Sequence, residues 1–587
     1  MKQLETLLPM DTETYEYSGA GKQTSELLAR REELTEALCR LPYDLILYIE
    51  RATVHSHLGY PDLATGDAYK ALLLTDEVCD ESFEYHEKAV EALRPYSVKN
   101  GPARLALETL RIPKELPHAA RNGEDLGSED MLPIIELARK ASIRCYQILA
   151  NSLLLCGCLK SALSFSIRGL RIAPGDEELV QAQEYIEELG RRHLKVDKGT
   201  LDIEDYSEEG LARRELYPWN RYEPDRFSQK TLDFLNRELS SVAPKCEVRV
   251  TELYTLSESA SNTNGFMLTN KQLGLFAKED IAAGELVLEE YSILSGNNRL
   301  KESLCDACSA LLPPLGAENG SIPCPECDDT MFCSKRCFEQ AMANYHPAVC
   351  DKDLDTVSKD PPPKESPEAL YLLLLARLLA MSATRNTHPL DLKEIKYTWG
   401  NFLPPSTNDV PLSPHAGPPP IWTLPFSFAT NISGPLHLLE KMGIDIYDGL
   451  PSYDLWIFNT LFAKFRSTAS ARVSALRCSG GPEVAAVHPL WCLANHDCDP
   501  NVQWELGGDI QFHAREKRIQ EHSAPGIRVG EEVLSHYCDI DLPVDQRREW
   551  ARGSLGGWCM CRRCRDEEAT KDKTGCGDGE DGEQLRT

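Results

Sequence analysis

The chain lacks any long apolar run. The longest, Ala369 to Ala376, is eight residues and stops at Arg377, against the ~20 that a bilayer-spanning helix needs. Cations are scarce as well: 63 Lys and Arg stand against 92 Asp and Glu, a formal charge of −29. That balance disfavours a general nucleic-acid binder, whose affinity rests on neutralising phosphates, and suits a basic partner or simple solubility. The opening Met1-Lys2-Gln3-Leu4-Glu5 carries an acid and no sustained apolar stretch, so no export signal is expected and the membrane and secreted classes are set aside. No basic cluster marks nuclear import, which leaves nucleus and cytoplasm both open. Against these shortages stand 21 cysteines. In a reducing compartment they read as metal ligands more readily than as disulfides.

At 587 residues the chain exceeds one core, and roughly 150 residues per domain gives about four. The first third reads as helices. A shift of 98 residues lays Ala52 on Ala150, Gly59 on Gly157 and Ala64 on Ala162. Small residues at these places let antiparallel helices approach, and the glycine relieves the turn between them. The pattern resembles the 34-residue tetratricopeptide (TPR) repeat, since 98 lies near three periods. Pro95, Pro102 and Pro113 are expected to break the unit between. The domain plan is then an N-terminal tail (1–24), TPR-like helices (25–190) and a charged, partly aromatic linker (191–244). Short β-like pieces follow at Cys246–Thr255 and Glu285–Ile293, and helical pieces at about 367–384, 434–442 and 453–466 flank Pro-rich loops. The Gly/Asp/Glu-rich tail from Asp566 is expected to be disordered.

Cys305-x2-Cys308, Cys324-x2-Cys327, Cys333-x3-Cys337 and His346-x3-Cys350 make four ligand pairs within 46 residues. Each pair has the span that one tetrahedral zinc can hold, and eight ligands fill two closed sites. So short a segment builds little core alone, so zinc would supply much of its folding energy. Spacing alone allows sequential or interleaved pairing. A RING-type ubiquitin ligase fails on ligand order, because the histidine comes seventh of eight. A further cluster, Cys559-x-Cys561-x2-Cys564, supplies three ligands and is either open or completed from elsewhere.

Three more segments carry unusual polar content for their surroundings: Gly274-Leu275-Phe276-Ala277, Asn495-His496-Asp497-Cys498-Asp499-Pro500-Asn501, and Gly530-Glu531-Glu532 with Tyr537 five residues on. Singly, each reads equally well as turn or half-buried strand residues. Together, in this order and followed by Cys-x-Cys-x2-Cys, they resemble the SET lysine methyltransferase domain. The eight-ligand segment resembles a MYND finger, and its position between the first two elements resembles the SET-and-MYND (SMYD) family. That resemblance implies an α+β multidomain protein: a β-rich SET core with a pseudo-knot, an inserted MYND finger and helical insertion, and N-terminal TPR-like repeats. It divides the rest of the chain into SET N-terminal part (245–300), MYND-type finger (301–350), helical SET insertion (351–480), SET C-terminal catalytic part (481–545), post-SET zinc motif (546–568) and a disordered acidic tail (569–587).

The resemblance also implies the chemistry: S-adenosylmethionine as methyl donor, a protein lysine (histone or non-histone) as acceptor, and three zinc ions. Tyr537 would be the catalytic tyrosine. Gly274, Leu275, Phe276, Thr468, Asn495, His496 and Trp558 would bind the cofactor. Interleaving would give Cys305, Cys308, Cys333 and Cys337 to one zinc and Cys324, Cys327, His346 and Cys350 to another. Cys498 would close the third site with Cys559, Cys561 and Cys564. Departures from the family are concrete. Gln272 stands where a glycine is usual, Thr468 is the nearest match to a cofactor-contacting asparagine, and Gly557 occupies the lid-aromatic position with Trp558 one place displaced. They raise the competing reading of a catalytically silent, zinc-stabilised scaffold. Protein partners would dock on the TPR-like and MYND surfaces.

Overall fold

The computed structural model describes residues 20–574, apart from 98–130, 196–200, 257–266, 299–303, 315–319, 328–329, 355–360, 362–364, 403–422, 474–481, 521–522 and 556. Most of the 1–24 tail, Pro102, Pro113, the loop with Pro418–Pro420 and residues 575–587 lie outside that description. The chain divides into two compact units, one of Met1–Glu215 with Leu403–Asn459, the other of Leu216–Phe402 with Thr460–Thr587. The expected 351–480 insertion is therefore split between them.

The first unit is helical: Ala20–Arg40, Leu45–His57, Pro61–Cys79, His86–Ser97, Met131–Cys156, Leu159–Ile172 and Glu177–Leu194. The 98-residue echo is structural. Gly59 and Gly157 have φ of 78° and 87°. Around them, Tyr60 N–H reaches His55 O and Cys158 N–H reaches Leu153 O, both at 2.9 Å, the six-to-one bond that closes a helix through a left-handed residue. Ala52, Ala64, Ala150 and Ala162 are fully buried, as close helix approach requires. Pro95 does not break its helix. It sits in the last turn of His86–Ser97, where the missing N–H forfeits a single bond. Arg51, wholly buried, ties Leu403–Asn459 to the helices by donating to Asp67 at 2.5 and 2.8 Å and to Asp454 at 3.2 Å.

The second unit mixes sheet and helix. Its five-stranded sheet runs Asn495–His496, Glu532–Ser535, Met267–Ala277, Cys246–Leu256, Trp558–Cys559. The first pair is parallel, with Asn495 opposite Leu534 and His496 opposite Ser535. The long strands pair in antiparallel register from Cys246↔Ala277 to Leu256↔Met267. Two three-stranded sheets stand beside it, 502–506/509–514/286–291 and 295–297/482–487/469–473. Alternating Leu273, Leu275 and Ala277 point into a core with Leu288, Trp491, Phe512 and Val533.

The linker expected at 191–244 holds more order than its charge suggested. Helix Glu177–Leu194 reaches into it, and Gly210–Arg213 pairs with Thr423–Phe426 in the first unit. Gln229–Val242 is a helix capped by Ser228, which accepts from Thr231 N–H, and its Leu235 and Leu239 enter the core. At the other end, Arg562–Thr574 is helical, so order extends past Asp566. Helix Ser366–Arg385 is long and apolar enough by length and composition to cross a membrane, and 61% of that stretch is buried in the protein. Gly296 lets a strand close onto its Leu373, where a Cβ would stand 3.1 Å from the leucine Cβ.

The two equivalent turns generate a direct expectation. Gly157→Ala and Gly59→Ala should each lower unfolding free energy by about 1 kcal/mol, because alanine resists positive φ. Denaturant titration followed by helical circular dichroism checks this, and unchanged midpoints would contradict it.

Candidate active site and metal centres

Asn495 lies on the sheet edge, and its amide donates twice: to Leu273 O at 2.9 Å and to Glu532 Oε1 at 2.7 Å. Gly274 stands directly below. A Cβ there would collide with Glu532 Oε1 and come 3.1 Å from Asn495 Nδ2. Glycine at 274 therefore makes room for this pair of side chains. Asn501 completes the fastening: its amide donates to Glu532 O at 2.8 Å and its carbonyl accepts from Leu534 N–H at 2.7 Å.

His496 follows with both ring nitrogens engaged. Nδ1 accepts from Tyr537 N–H at 3.0 Å, which leaves the proton on Nε2, 3.3 Å from Cys498 Sγ. Tyr537 in turn donates its hydroxyl to Ala494 O at 3.0 Å. Burial pushes its pKa up, so the phenol is neutral at physiological pH. With its proton given to a backbone carbonyl, the oxygen presents only lone pairs to its surroundings.

Those surroundings are a cleft of about 650 Å³ including its open mouth, lined by Tyr537, Asn495, Thr468, Gln272, Leu273 and Arg226 among others. Tyr397, Trp399, Leu493 and Leu555 give it apolar and aromatic patches beside its polar groups. Tyr537, Asn495 and Thr468 thus share one cavity. The other expected cofactor residues do not line it. Leu275 is buried in the core. Phe276 lies under the Arg249 guanidinium, 5.3 Å from its ring centre. Trp558 is 42% exposed beside Arg548. His496 acts one step back, through Tyr537 N–H.

Sequence reasoning passed over several residues here. Glu532 was visible in the Gly-Glu-Glu motif without a role. Glu290 gave no local signal, yet its buried carboxylate accepts Leu490 N–H at 3.1 Å and Trp491 N–H at 2.7 Å, fixing the turn that leads to Asn495. Burial with no cation beside it raises its pKa to about 7. Arg226 and the Tyr397–Trp399 wall come from segments read as linker and insertion.

The cysteines and His346 gather as two interleaved groups in the finger. Cys305, Cys308, Cys333 and Cys337 form one, and Cys324, Cys327, His346 and Cys350 the other, each with ligand atoms within 4.8 Å of one another. Cys308–Cys333 and Cys324–Cys350 sulfurs are 3.7 and 3.9 Å apart, near the ~3.8 Å edge of a tetrahedron with ~2.3 Å Zn–S bonds. Sequential pairing is excluded. A third group joins Cys498 with Cys559, Cys561 and Cys564, with Cys498 sulfur 3.4 Å from Cys564 and 3.9 Å from Cys559. All three groups suit zinc. His496 and Cys538 also approach Cys498, but the four-sulfur set already closes a tetrahedral site.

Two expectations follow from this geometry. A carboxyl raised from 4.5 to about 7 by folding favours the folded state when protonated, so its contribution is full below pH 4.5 and lost as pH rises through 7. Relative to Glu290→Gln, the wild type should gain roughly 3 kcal/mol between pH 7 and pH 4.5. A pH-independent difference would contradict the burial argument. Cys498→Ser should lower zinc from three equivalents to two by elemental analysis, and unchanged stoichiometry would assign the closing ligand to another residue.

A SET domain family model matches residues 272–538. N-lysine methyltransferase SMYD2 of Gallus gallus is 34% identical over 89 residues, 15% of this chain and 19% of that protein. Histone-lysine N-methyltransferase SMYD3 of Mus musculus is 23% identical over 311 residues, 52% of this chain and 62% of that protein. The SET domain and MYND-type zinc finger protein 6 of Schizosaccharomyces pombe is 28% identical over 123 residues, 21% and 23% of the two chains. In each case the match spans less than two thirds of the relative. The Asn-His strand, the tyrosine it holds and the two cysteine-rich centres of the finger fall inside residues 272–538, so this part of the chain matches the SET domain family and the chain is similar to SET-and-MYND proteins.

Proposed function

We propose that this protein transfers a methyl group from S-adenosylmethionine to a lysine side chain of a protein, histone or non-histone. The observation that carries the reading is the Tyr537 hydroxyl, anchored on Ala494 O inside the cleft that Asn495 also lines. A SET core with pseudo-knot, a MYND-type finger at 301–350, TPR-like hairpins over 25–190 and protein partners on their surfaces belong to the same reading. The silent-scaffold alternative is not favoured, because Gln272 lines the cleft without filling it.

The donor supplies an electrophilic methyl on a sulfonium. The chain's residues do the rest. A lysine amine has a pKa near 10.4, so roughly one in a few thousand is neutral and nucleophilic at pH 7. The apolar side chains of Leu273, Leu493, Tyr397 and Trp399 on one part of the lining would disfavour the ammonium by desolvation. Tyr537 oxygen, its own proton donated to Ala494 O, would accept from an N–H of a neutral lysine amine and so orient that nitrogen in the cleft. In-line displacement then depends chiefly on alignment, which is where most of the rate resides.

Tyr537→Phe should retain fold, zinc and donor binding while losing at least about 100-fold in turnover. Labelling of a whole-cell extract with radioactive donor, variant beside wild type, reads it directly. Near-wild-type labelling by the variant would refute the role of the hydroxyl.

A further inference from the structure

Arg226 lies outside the segment matched to the SET family and has no role in the account so far. It is nine-tenths buried and lines the same cleft as Tyr537, Asn495 and Gln272. Two contacts fix its plane. One terminal nitrogen donates to Tyr397 O at 2.9 Å, and the guanidinium carbon stands 5.2 Å from the Trp399 ring centre. No carboxylate among the described residues pairs with it. The nearest acid it feels, Glu223, is committed to Lys464 at 2.9 Å. Lys464 also donates to the carbonyls of Ile395, Lys396 and Thr398, so that pair braces the cleft wall through Glu223 Oε2, while Glu223 Oε1 makes no hydrogen bond and does not reach Arg226 within ion-pair distance. Burial lowers the guanidinium's pKa, with Glu223 and Tyr537 acting weakly the other way.

A buried cation without a counter-ion is costly, by several kcal/mol before relaxation. Arg226 lines the cleft with one terminal nitrogen spent on Tyr397 O, and a guanidinium carries further donors in the fork geometry that matches a carboxylate. We propose that Arg226 is the carboxylate receptor of the methyl-transfer cleft and holds the amino-acid end of S-adenosylmethionine. This rests on the transferase reading above. The donor is favoured over an acidic group on the protein substrate because Arg226 shares its cavity with Tyr537, Asn495 and Thr468, the residues that the transferase reading gives to methyl transfer and donor binding. The segment read as linker, 191–244, thus supplies a specificity-determining residue to a domain whose family match starts only at residue 272.

The test is calorimetric titration of the full zinc-loaded chain with two probes, S-adenosylmethionine and decarboxylated S-adenosylmethionine. Wild type should bind the carboxylate-bearing donor about 10- to 100-fold more tightly than the decarboxylated one. Arg226→Gln should lose that margin and leave the decarboxylated probe unchanged, and Arg226→Lys should recover part of it. Thermal midpoint and zinc content report whether each variant is folded. If Arg226→Gln fails to fold, the wild-type margin and the Arg226→Lys pattern decide.

Equal affinity of wild type for both probes, or equal loss of both in a folded variant, would overturn the assignment. Unchanged donor affinity with a raised KM confined to peptides bearing an acidic residue would move the carboxylate to the peptide and also overturn it. A wild type that binds neither probe would instead overturn the transferase reading.

Discussion

The second unit depends on how one amide is shared. Asn495 Nδ2 divides its two hydrogens between Leu273 O on one strand and the Glu532 carboxylate on another. Both acceptors are removed from bulk water, where a lost partner costs more than a made bond gains. The pairing holds the Asn-His strand at the sheet edge in parallel register, and it requires Gly274 beneath it. The residues around Tyr537 are referred to that strand. His496 orients Tyr537 through its N–H, Ala494 receives the phenol, and Cys498 turns the chain toward the third metal group.

The metal groups and this amide node divide the labour. The finger segment has short strands and a ten-residue helix, too little apolar surface to stand without cross-links. Arg377, 3.6 Å from the centre of the Tyr345 ring and bonded to Asp306 O at 2.6 Å, joins it to the long buried helix Ser366–Arg385. The third group lies next to the reacting cleft. Cys498 is two residues from His496, and Ser554 and Leu555, just before Cys559, line the cavity. Metal there would set the position of a wall of the cleft.

Much of this was legible in the sequence because the chemistry needs rare residue types at fixed spacing. Cysteine pairs, the Asn-His-x-Cys run and the tyrosine beyond Gly-Glu-Glu announce themselves, and so did the paired turns at Gly59 and Gly157. What escaped notice was of two kinds. Gln229–Val242 carried Leu232, Leu235, Leu239 and Val242 at helical spacing behind a capping Ser228, a readable pattern hidden by surrounding charge. Glu290, Arg226 and Lys464 acquire meaning only from burial, which no local pattern reports. Phe276 and Trp558 do not line the cleft with Tyr537, since a motif fixes neighbours along the chain but not which of them border one cavity.

The most direct test of the central claim is calorimetry of the purified chain with S-adenosylmethionine. The account predicts saturable one-to-one binding in the cleft beside Tyr537. No heat up to millimolar donor, from protein with all its zinc in place, would contradict it.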